Sequence, residues 1–222
     1  MTVIFVVMTI LFFLTLDVVV RRVRAKNTVP ATLGRTAPSA YPVRIPEGIF
    51  FARSHTWMSL FPSGKIRLGV DDFVGRLLDK PQVEYLKGVG DSVKKGDPLF
   101  ALCEGGRTLT VRAPMDGRIV AVNDELQRRP ELLKENLFSE GWAFTLQPEK
   151  PSELRQMLLG EETRRWIPDE FRRLRDVFAS VSSGGELVPA LLQDGGPPVA
   201  GALKQMGPDV WENFEAEFLQ VR

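Results

Sequence analysis

The apolar and polar positions divide the chain into stretches with different patterns, and the first stretch is almost wholly apolar. Of the 19 residues from 2 to 20, 15 are apolar and none alternates regularly with polar residues. As a helix, this run would be about 28 Å long, close to the roughly 30 Å thickness of the hydrocarbon core of a bilayer. The pattern therefore predicts a transmembrane anchor rather than a strand.

A basic collar follows the apolar run directly and consists of Arg21, Arg22, Arg24 and Lys26. A cleaved signal peptide is the alternative, but it would carry its basic residues before the apolar run. The positive-inside rule then predicts a single-pass protein of the cell inner membrane, with the N-terminus outside and the rest cytoplasmic. Asp17 lies four residues before Arg21, so we expect an ion pair at the interface rather than an intramembrane functional site.

Residues 27–48 are rich in proline and lack an apolar period. Such a segment favours extended backbone and acts as a semi-rigid spacer. At about 3.1 Å per residue it would hold the next domain up to roughly 70 Å from the bilayer. We therefore predict that residues 1–26 form the anchor with its collar and that 27–48 form a linker.

From residue 49 onwards short alternating segments are separated by glycine-rich turns. Residues 65–70 and 108–112 alternate between polar and apolar, as half-buried strands do. Turn clusters such as 62–64 and 95–97 stand between the segments. This pattern predicts a small β-barrel or sandwich, with room for short helices near 73–79 and 123–134.

The C-terminal part has a helical period. Residues 149–180 show two apolar stripes, with Pro168 at the expected start of the second helix. After several glycine and proline breaks, residues 208–219 place Trp211, Phe214 and Phe218 on one helical face. This acidic amphipathic helix is predicted either to dock into a groove of a partner or to pack back on its own β-domain.

The amino-acid composition excludes several common kinds of functional site. The chain has 29 Lys and Arg against 28 Asp and Glu, which gives no general case for nucleic-acid binding. One cysteine, Cys103, and one histidine, His55, exclude a disulfide framework and metal sites rich in cysteine or histidine. Cys103 is predicted to be a buried small hydrophobic residue, and His55 a core or half-buried residue. We expect no catalytic constellation, metal site, cofactor or small-molecule substrate.

Six segments occur in the order found in one known family. The segments are Ser54–Trp57, Gly64–Phe73, Val89–Asp97, Ala113–Asn123, Glu140–Trp142 with Pro148, and Ser152–Leu159. Together they resemble the glycine-cleavage H protein, a lipoyl-carrying relative of the biotinyl and lipoyl domains, over residues 49–160. The resemblance implies a mainly β barrel-sandwich hybrid with short helices. Residues 161–222, which it does not cover, are predicted to form a helical or irregular extension.

The same resemblance implies a lysine that carries lipoate, eight residues before a proline of the family motif. Counting back from Pro114 reaches Gly106, and no lysine lies between Lys95 and Lys134. A shift of one residue reaches Arg107, whose guanidinium stays protonated and does not form the lipoyl amide. Lys94 and Lys95 belong to another turn of the motif and are poor substitutes.

The sequence therefore favours a family member without the lipoyl group. We expect Gly105 and Gly106 to close a tight hairpin, and Gly105, Gly106 and Arg107 to be candidates for partner docking together with the aromatic residues of 208–219.

The function predicted from the sequence is that of a non-catalytic scaffold subunit in a larger bacterial membrane complex, respiratory or photosynthetic. Its partners would be integral membrane subunits and the lipid bilayer. Two alternatives remain open: a membrane-tethered lipoyl carrier modified at an atypical lysine, and an adaptor that recruits a soluble enzyme to the membrane.

Overall fold

The computed structural model describes residues 43–181 and 200–221, which belong to one compact unit formed by residues 40–222. Within the described ranges, no helix combines the length and apolar character needed to cross a membrane. The predicted anchor at 2–20, the collar at 21–26 and most of the linker lie outside the described residues. Predictions about Asp17, Arg21, Arg22, Arg24 and Lys26 therefore stay predictions.

The described residues form two antiparallel sheets. The strands are β1 Phe50–Phe51, β2 Thr56–Leu60, β3 Ile66–Val70, β4 Gln82–Tyr85, β5 Ser92–Val93, β6 Pro98–Glu104, β7 Arg107–Arg112, β8 Gly117–Val122, β9 Phe144–Pro148 and β10 Leu158–Leu159. The larger sheet has seven strands in the order β10-β1-β2-β3-β9-β8-β5, and the smaller has three in the order β4-β6-β7. All observed neighbours run antiparallel, as expected for short strands joined by tight turns.

The pairing of β2 with β3 shows how single residues set the sheet. Trp57 lies opposite Gly69, and both Met58 and Leu68 are fully buried in the next pair. A Cβ atom at position 69 would lie 2.9 Å from the Trp57 Nε1 atom and 2.9 Å from the Gly141 carbonyl oxygen. Glycine is therefore required here because the indole and a neighbouring backbone occupy the space of a side chain.

Helices surround these sheets. They are α1 Asp72–Leu77, α2 Asp124–Arg128, α3 Leu132–Glu135, α4 Glu161–Val181 and α5 Pro208–Phe214, with α5 continuing as a π-helical turn at Glu215–Leu219. Two 3-10 segments, Pro151–Gln156 and Ala202–Gln205, precede α4 and α5. The predicted short helices near 73–79 and 123–134 correspond to α1 and to α2 with α3.

The prediction that a helix begins at Pro168 is wrong, because Pro168 lies inside α4. Proline removes one backbone hydrogen bond from a helix interior, which usually ends or bends the helix. Here, apolar side chains on both sides of the proline are buried, among them Ile167, Phe171 and Leu174. Tertiary packing therefore holds one helix together across a position that local preference would break.

One hydrophobic core joins the β-domain to the C-terminal extension. Val43 already belongs to this core, so the chain packs on the domain before the predicted end of the linker at residue 48. Trp211, Phe214 and Phe218 are each at most 2% exposed. The docking prediction for these three aromatic residues is therefore corrected: the structure buries them in their own domain, the alternative that the sequence left open.

The aromatic residues of the C-terminal segment form a stack with α1 and α4. The Phe214 and Phe218 rings are 4.9 Å apart, and the Phe73 ring lies 5.7 Å from Phe218 and 4.9 Å from Phe171. Aromatic pairs at such distances add to the free energy of burial. The stack fastens α5 to the β-domain through side chains more than 130 residues apart in sequence.

The stack predicts that Phe214→Ala lowers the free energy of unfolding by about 3–5 kcal/mol, because it removes a fully buried aromatic side chain and leaves a cavity. Urea titration followed by tryptophan fluorescence measures this loss. Val89→Ala is the control, since Val89 is 67% exposed and its truncation should change stability by less than about 0.5 kcal/mol. Equal effects of the two substitutions would contradict this packing.

Candidate functional site

The hairpin formed by β6 and β7 lies where the family resemblance places the chemistry. Glu104 pairs with Arg107, so Gly105 and Gly106 form a two-residue turn. Their φ angles are +60° and +75°, the left-handed values of a type I′ turn. Glycine adopts this backbone without the steric strain of a side chain, which explains the tight turn predicted from the sequence.

The tip of this hairpin is exposed. A Cβ atom built at Gly105 or Gly106 would meet no atom within 4 Å among the described residues. Both glycines are solvent-exposed, and Arg107 is half-buried. The docking role of Gly105, Gly106 and Arg107 therefore stays a prediction, with an open surface available for it.

The base of the hairpin is anchored by a buried carboxylate. Glu104 accepts hydrogen bonds from the backbone N–H groups of Asp79 and Lys80, at 3.0 and 2.5 Å. These bonds hold the end of β6 against the loop that follows α1. Cys103, which the sequence predicts to be buried, is only half-buried, so that prediction is corrected; its Sγ atom is 3.7 Å from the Thr108 hydroxyl oxygen.

The C-terminal segment covers the free edge of β7. The Thr110 backbone N–H donates to the Glu215 carboxylate at 2.9 Å, and Arg112 lies 3.7 Å from the same carboxylate. The Arg107 guanidinium donates to the Lys204 carbonyl oxygen at 3.4 Å. Edge strands expose unpaired backbone groups, and these contacts satisfy part of that edge from within the chain.

A groove of about 410 Å³ remains between the hairpin tip and α5. One wall is the start of β7 and the other is the polar side of the C-terminal helix. The lining includes Gly106, Arg107, Thr108, Trp211 and Glu215. The structure thus brings the predicted tip residues close to the C-terminal segment, although they are about 100 residues apart in sequence.

A second group of functional side chains, which sequence reasoning missed, centres on His55. His55 directly precedes β2 with a φ of +58°, and its side chain is fully buried. Its Nδ1 atom is 2.8 Å from the Asp71 Oδ2 atom, and its Nε2 atom is 3.6 Å from the Glu170 Oε2 atom. The first contact is a hydrogen bond and the second an ion pair beyond hydrogen-bond length.

Aromatic rings sandwich the His55 imidazole. The Phe73 ring is 4.2 Å away and nearly parallel, and the Trp166 ring lies 4.8 Å away on a second helix. An imidazolium between aromatic faces gains cation–π attraction in addition to its ion pairs. The cluster therefore favours the protonated form of His55.

Electrostatics support this protonation state. Burial lowers the pKa of His55, but the charges of Asp71 and Glu170 and the hydrogen bond with Asp71 outweigh burial and raise the pKa to about 9. Burial raises the pKa of Glu170, whereas His55 and Arg173 outweigh it and lower that pKa. At neutral pH the group is a positive imidazolium held between two carboxylates.

The cluster reaches the C-terminal segment through α4. The Trp166 indole N–H donates to Glu170 at 2.7 Å, and Arg173 donates to the same carboxylate at 2.8 Å. Arg173 also contacts the Glu217 carbonyl oxygen at 3.0 Å and lies over the Phe218 ring. Asp71 additionally caps α1 by accepting from the Phe73 and Val74 N–H groups.

The chemistry of this cluster is structural positioning. The His55 side chain has no exposed surface, so a substrate does not reach its ring nitrogens. The sequence prediction of a core histidine is confirmed, but its partners lie 16 and 115 positions away, and no local spacing pairs them. Asp71 and Asp72 serve different partners, as expected of adjacent residues that point in different directions.

Comparison with known proteins supplies the family. Residues 49–170 match the sequence model described as glycine cleavage H-protein, which is just over half of the 222 residues. The chain belongs to the glycine cleavage H-protein family. The predicted resemblance is thereby confirmed, as is a mainly β H-protein-like fold with short helices.

Two glycine cleavage system H proteins illustrate the similarity. That of Anaeromyxobacter sp. strain K is 33% identical over 129 residues, covering 58% of this chain and 99% of the relative. That of Oceanobacillus iheyensis is 29% identical over 126 residues, covering 56% and 98%. A crystal structure of the Mycobacterium marinum H protein covers 53% of this chain and 94% of its own, with a TM-score of 0.47 and 23% identity.

The residues of this hairpin do not fit the lipoyl group of the H-protein family. Gly105 and Gly106 have no side chain to form an amide, and the Arg107 guanidinium is not a neutral nucleophile. Lys94 lies at another turn, where its ammonium group contacts Glu149 and Asp116 at 3.2 and 3.3 Å. Hydrogen bonds to Glu149 and Asp116 raise the pKa of Lys94. The raised pKa lowers the fraction of neutral amine, which is the form that acylation requires.

The His55 cluster predicts a stability that falls as the pH rises. The pKa of His55 is raised from 6.5 to about 9 in the folded chain, so between these values the folded state binds one more proton than the unfolded state. The stabilisation is complete below pH 6.5 and lost as the pH passes 9. The free energy of unfolding should fall by about 3 kcal/mol across this window.

Urea titrations at a series of pH values measure the slope of the free energy of unfolding against pH. Two variants test whether this slope comes from His55 and Glu170. His55→Asn tolerates the left-handed backbone and should remove the slope. Glu170→Gln should shift the slope to lower pH, while the exposed carboxylate change Glu84→Gln should leave it in place. An unchanged slope in His55→Asn would contradict the assignment.

Proposed function

We propose that this protein is a non-catalytic structural subunit that braces a larger bacterial membrane complex, respiratory or photosynthetic, from the cytoplasmic side. Its H-protein-like domain supplies a rigid surface in place of a lipoyl arm. The observation that carries this proposal is the hairpin tip: the family fold is kept, while Gly105, Gly106 and Arg107 offer no amine for acylation.

The C-terminal segment gives further support. A swinging-arm carrier needs only the β-domain, yet this chain adds a helical segment that buries three aromatic residues in the core and covers the edge of β7. Contacts of Glu215 with Thr110 and of Arg107 with Lys204 hold the strand beside the tip. These additions suit a domain of fixed shape that meets fixed neighbours.

The N-terminal sequence is the support for membrane attachment. The apolar run at 2–20 has the length of a membrane helix, and the four basic residues after it favour a cytoplasmic domain. A subunit anchored in this way would meet integral membrane partners at the bilayer surface. The linker would then set how far the domain extends along them.

The adaptor hypothesis loses its main support. It assigned recruitment of a soluble enzyme to residues 208–219, but the aromatic face of this helix is packed inside the domain. A partner would have to pull Phe214 and Phe218 out of the core to use that face. We therefore favour the scaffold over the adaptor.

Co-purification in mild detergent tests the scaffold directly. We expect the full chain, isolated from its native membrane, to migrate as part of a complex with integral membrane subunits identified by mass spectrometry. Solubilisation in a harsher detergent is the control and should release the chain. Recovery of an isolated monomer in mild detergent would overturn the proposal.

Intact-mass measurement separates the scaffold from a lipoyl carrier. Co-expressed with a lipoate–protein ligase and supplied with lipoate, the chain should retain the mass of its unmodified sequence, because the hairpin presents no lysine. The H protein of Anaeromyxobacter sp. strain K, expressed in the same cells, is the comparison for ligase activity. A lipoyl adduct on this chain would establish the carrier alternative.

A further inference from the structure

One face of the domain concentrates positive charge around two carboxylates. Asp72 forms ion pairs with Arg44 and Arg76, and Asp79 forms ion pairs with Lys134 and Lys204. We call the five cations the basic face: Arg44, Arg76, Lys80, Lys134 and Lys204.

One part of the basic face consists of two exposed arginines, Arg44 and Arg76, that bind the buried carboxylate of Asp72. Asp72 accepts from the Arg44 side chain at 2.8 Å and from Arg76 at 3.0 Å. The Asp72 side chain is 4% exposed, whereas those of Arg44 and Arg76 are 43% and 38% exposed. The negative charge is therefore hidden below the surface and the positive charge faces solvent.

Hydrogen bonds to backbone carbonyl groups connect these arginines to the lysines of the basic face. The Arg44 guanidinium donates to the Lys134 carbonyl oxygen at 2.9 Å, and the Lys134 ammonium donates to the Asp79 carbonyl oxygen at 2.6 Å. Lys204 contacts the Asp79 carboxylate at 2.7 Å, and Lys80 follows Asp79 in the chain. The Asp79 carboxylate thus forms ion pairs with both Lys134 and Lys204.

This concentration is not a consequence of composition. The described ranges contain 23 Lys and Arg against 25 Asp and Glu, so the domain as a whole is slightly acidic. Glu131, at the rim of this face, pairs with Arg129 at 3.2 Å. Exposed ion pairs stabilise a fold little, so stability does not explain five cations around two carboxylates.

Grooves in the basic face have room for small anionic groups. A groove of about 400 Å³ is lined by Arg44, Arg76 and Lys134 together with Asp72, and a second groove of about 450 Å³ is lined by Lys80 and Lys134 together with Asp79 and Glu131. Arginine and lysine side chains at the rim of such grooves bind phosphate by charge-assisted hydrogen bonds. The first groove, with three cations and one buried carboxylate, is the part of the face that suits a phosphate group.

We propose that the basic face rests on the anionic phospholipid headgroups of the membrane to which the chain is attached. This inference rests on the proposed membrane anchoring. Arg44 is only 18 positions after Lys26, the last residue of the basic collar, so the face begins where the linker ends.

Tethering makes weak contacts sufficient. A linker of this length gives the domain an effective concentration near the membrane in the millimolar range. Each unbalanced positive charge near an anionic surface strengthens binding about fivefold, so the excess of five cations over the two carboxylates strengthens it about 100-fold. The same contacts would orient the hairpin tip relative to the membrane and so present it to neighbouring subunits in one direction.

Lysine footprinting of the full chain tests the contact. The chain is reconstituted into vesicles of phosphatidylcholine alone or of phosphatidylcholine and phosphatidylglycerol in equal parts, and then acetylated briefly. We expect Lys80, Lys134 and Lys204 to react several-fold more slowly in the anionic vesicles, with protection lost in high salt because the contact is electrostatic. Lysines outside the face, Lys65 and Lys150, should react equally in both.

A fragment without the anchor isolates the face. Every described core residue lies between positions 43 and 219, so a chain of residues 40–222 keeps the whole core, and circular dichroism checks its fold. The fragment should bind the anionic vesicles, and K80Q/K134Q/K204Q should weaken binding about 100-fold. The matched variant K65Q/K87Q/K150Q loses the same charge elsewhere and should bind within about twofold of the unaltered fragment.

The two proposals fail in different ways. If the full chain does not insert into phosphatidylcholine vesicles, membrane anchoring fails, and the fragment still decides whether the face binds anionic lipid. If the chain inserts but the lysines are not protected and the fragment does not bind, the lipid contact is overturned and the scaffold stands. Protection found only in the purified complex would assign the face to a protein partner and would also overturn the lipid contact.

Discussion

The buried ion pair network around His55 is the interaction on which the arrangement of the whole domain depends. An imidazolium without exposed surface lies between Asp71, which caps α1, and Glu170 on α4, and Arg173 carries the network on to Glu217. Removing one partner from such a group leaves an unbalanced buried charge, which is far costlier than losing a surface pair. The β-domain, α4 and the C-terminal segment are therefore held in one relative position by charge as well as by apolar packing.

This fixed arrangement changes what the family hairpin can be used for. In the H-protein resemblance the tip bears a flexible arm, whereas here two glycines close the turn and the strand beside them is held by Glu215. The space beside the hairpin is partly filled by the chain's own C-terminal helix. An exposed tip without an acylatable side chain and an edge covered by the chain's own helix are the two features on which the proposed scaffold role rests.

The fold also separates the two signs of charge, because it buries several carboxylates and leaves the cations near them at the surface. The carboxylates of Asp71, Asp72 and Glu104 are buried and bound by backbone N–H groups or cations, while the arginines and lysines around them remain at the surface. A nearly neutral composition thus produces a domain with a concentrated basic face. Net charge alone carries no information about this separation, because it depends on which carboxylates the fold encloses.

The sequence by itself determined the family, the short strands, the glycine hairpin and the missing lysine, because each depends on local spacing along the chain. The start of helix α4 was predicted at Pro168 rather than at Glu161, since a proline breaks a helix unless packing on both sides compensates. The burial of Trp211 and Phe214, the partners of His55 and the basic face were decided only by the tertiary structure. Amphipathic periodicity shows that a helix has an apolar face but not what covers it, and pairs such as His55 with Glu170 exist only after distant segments have packed together.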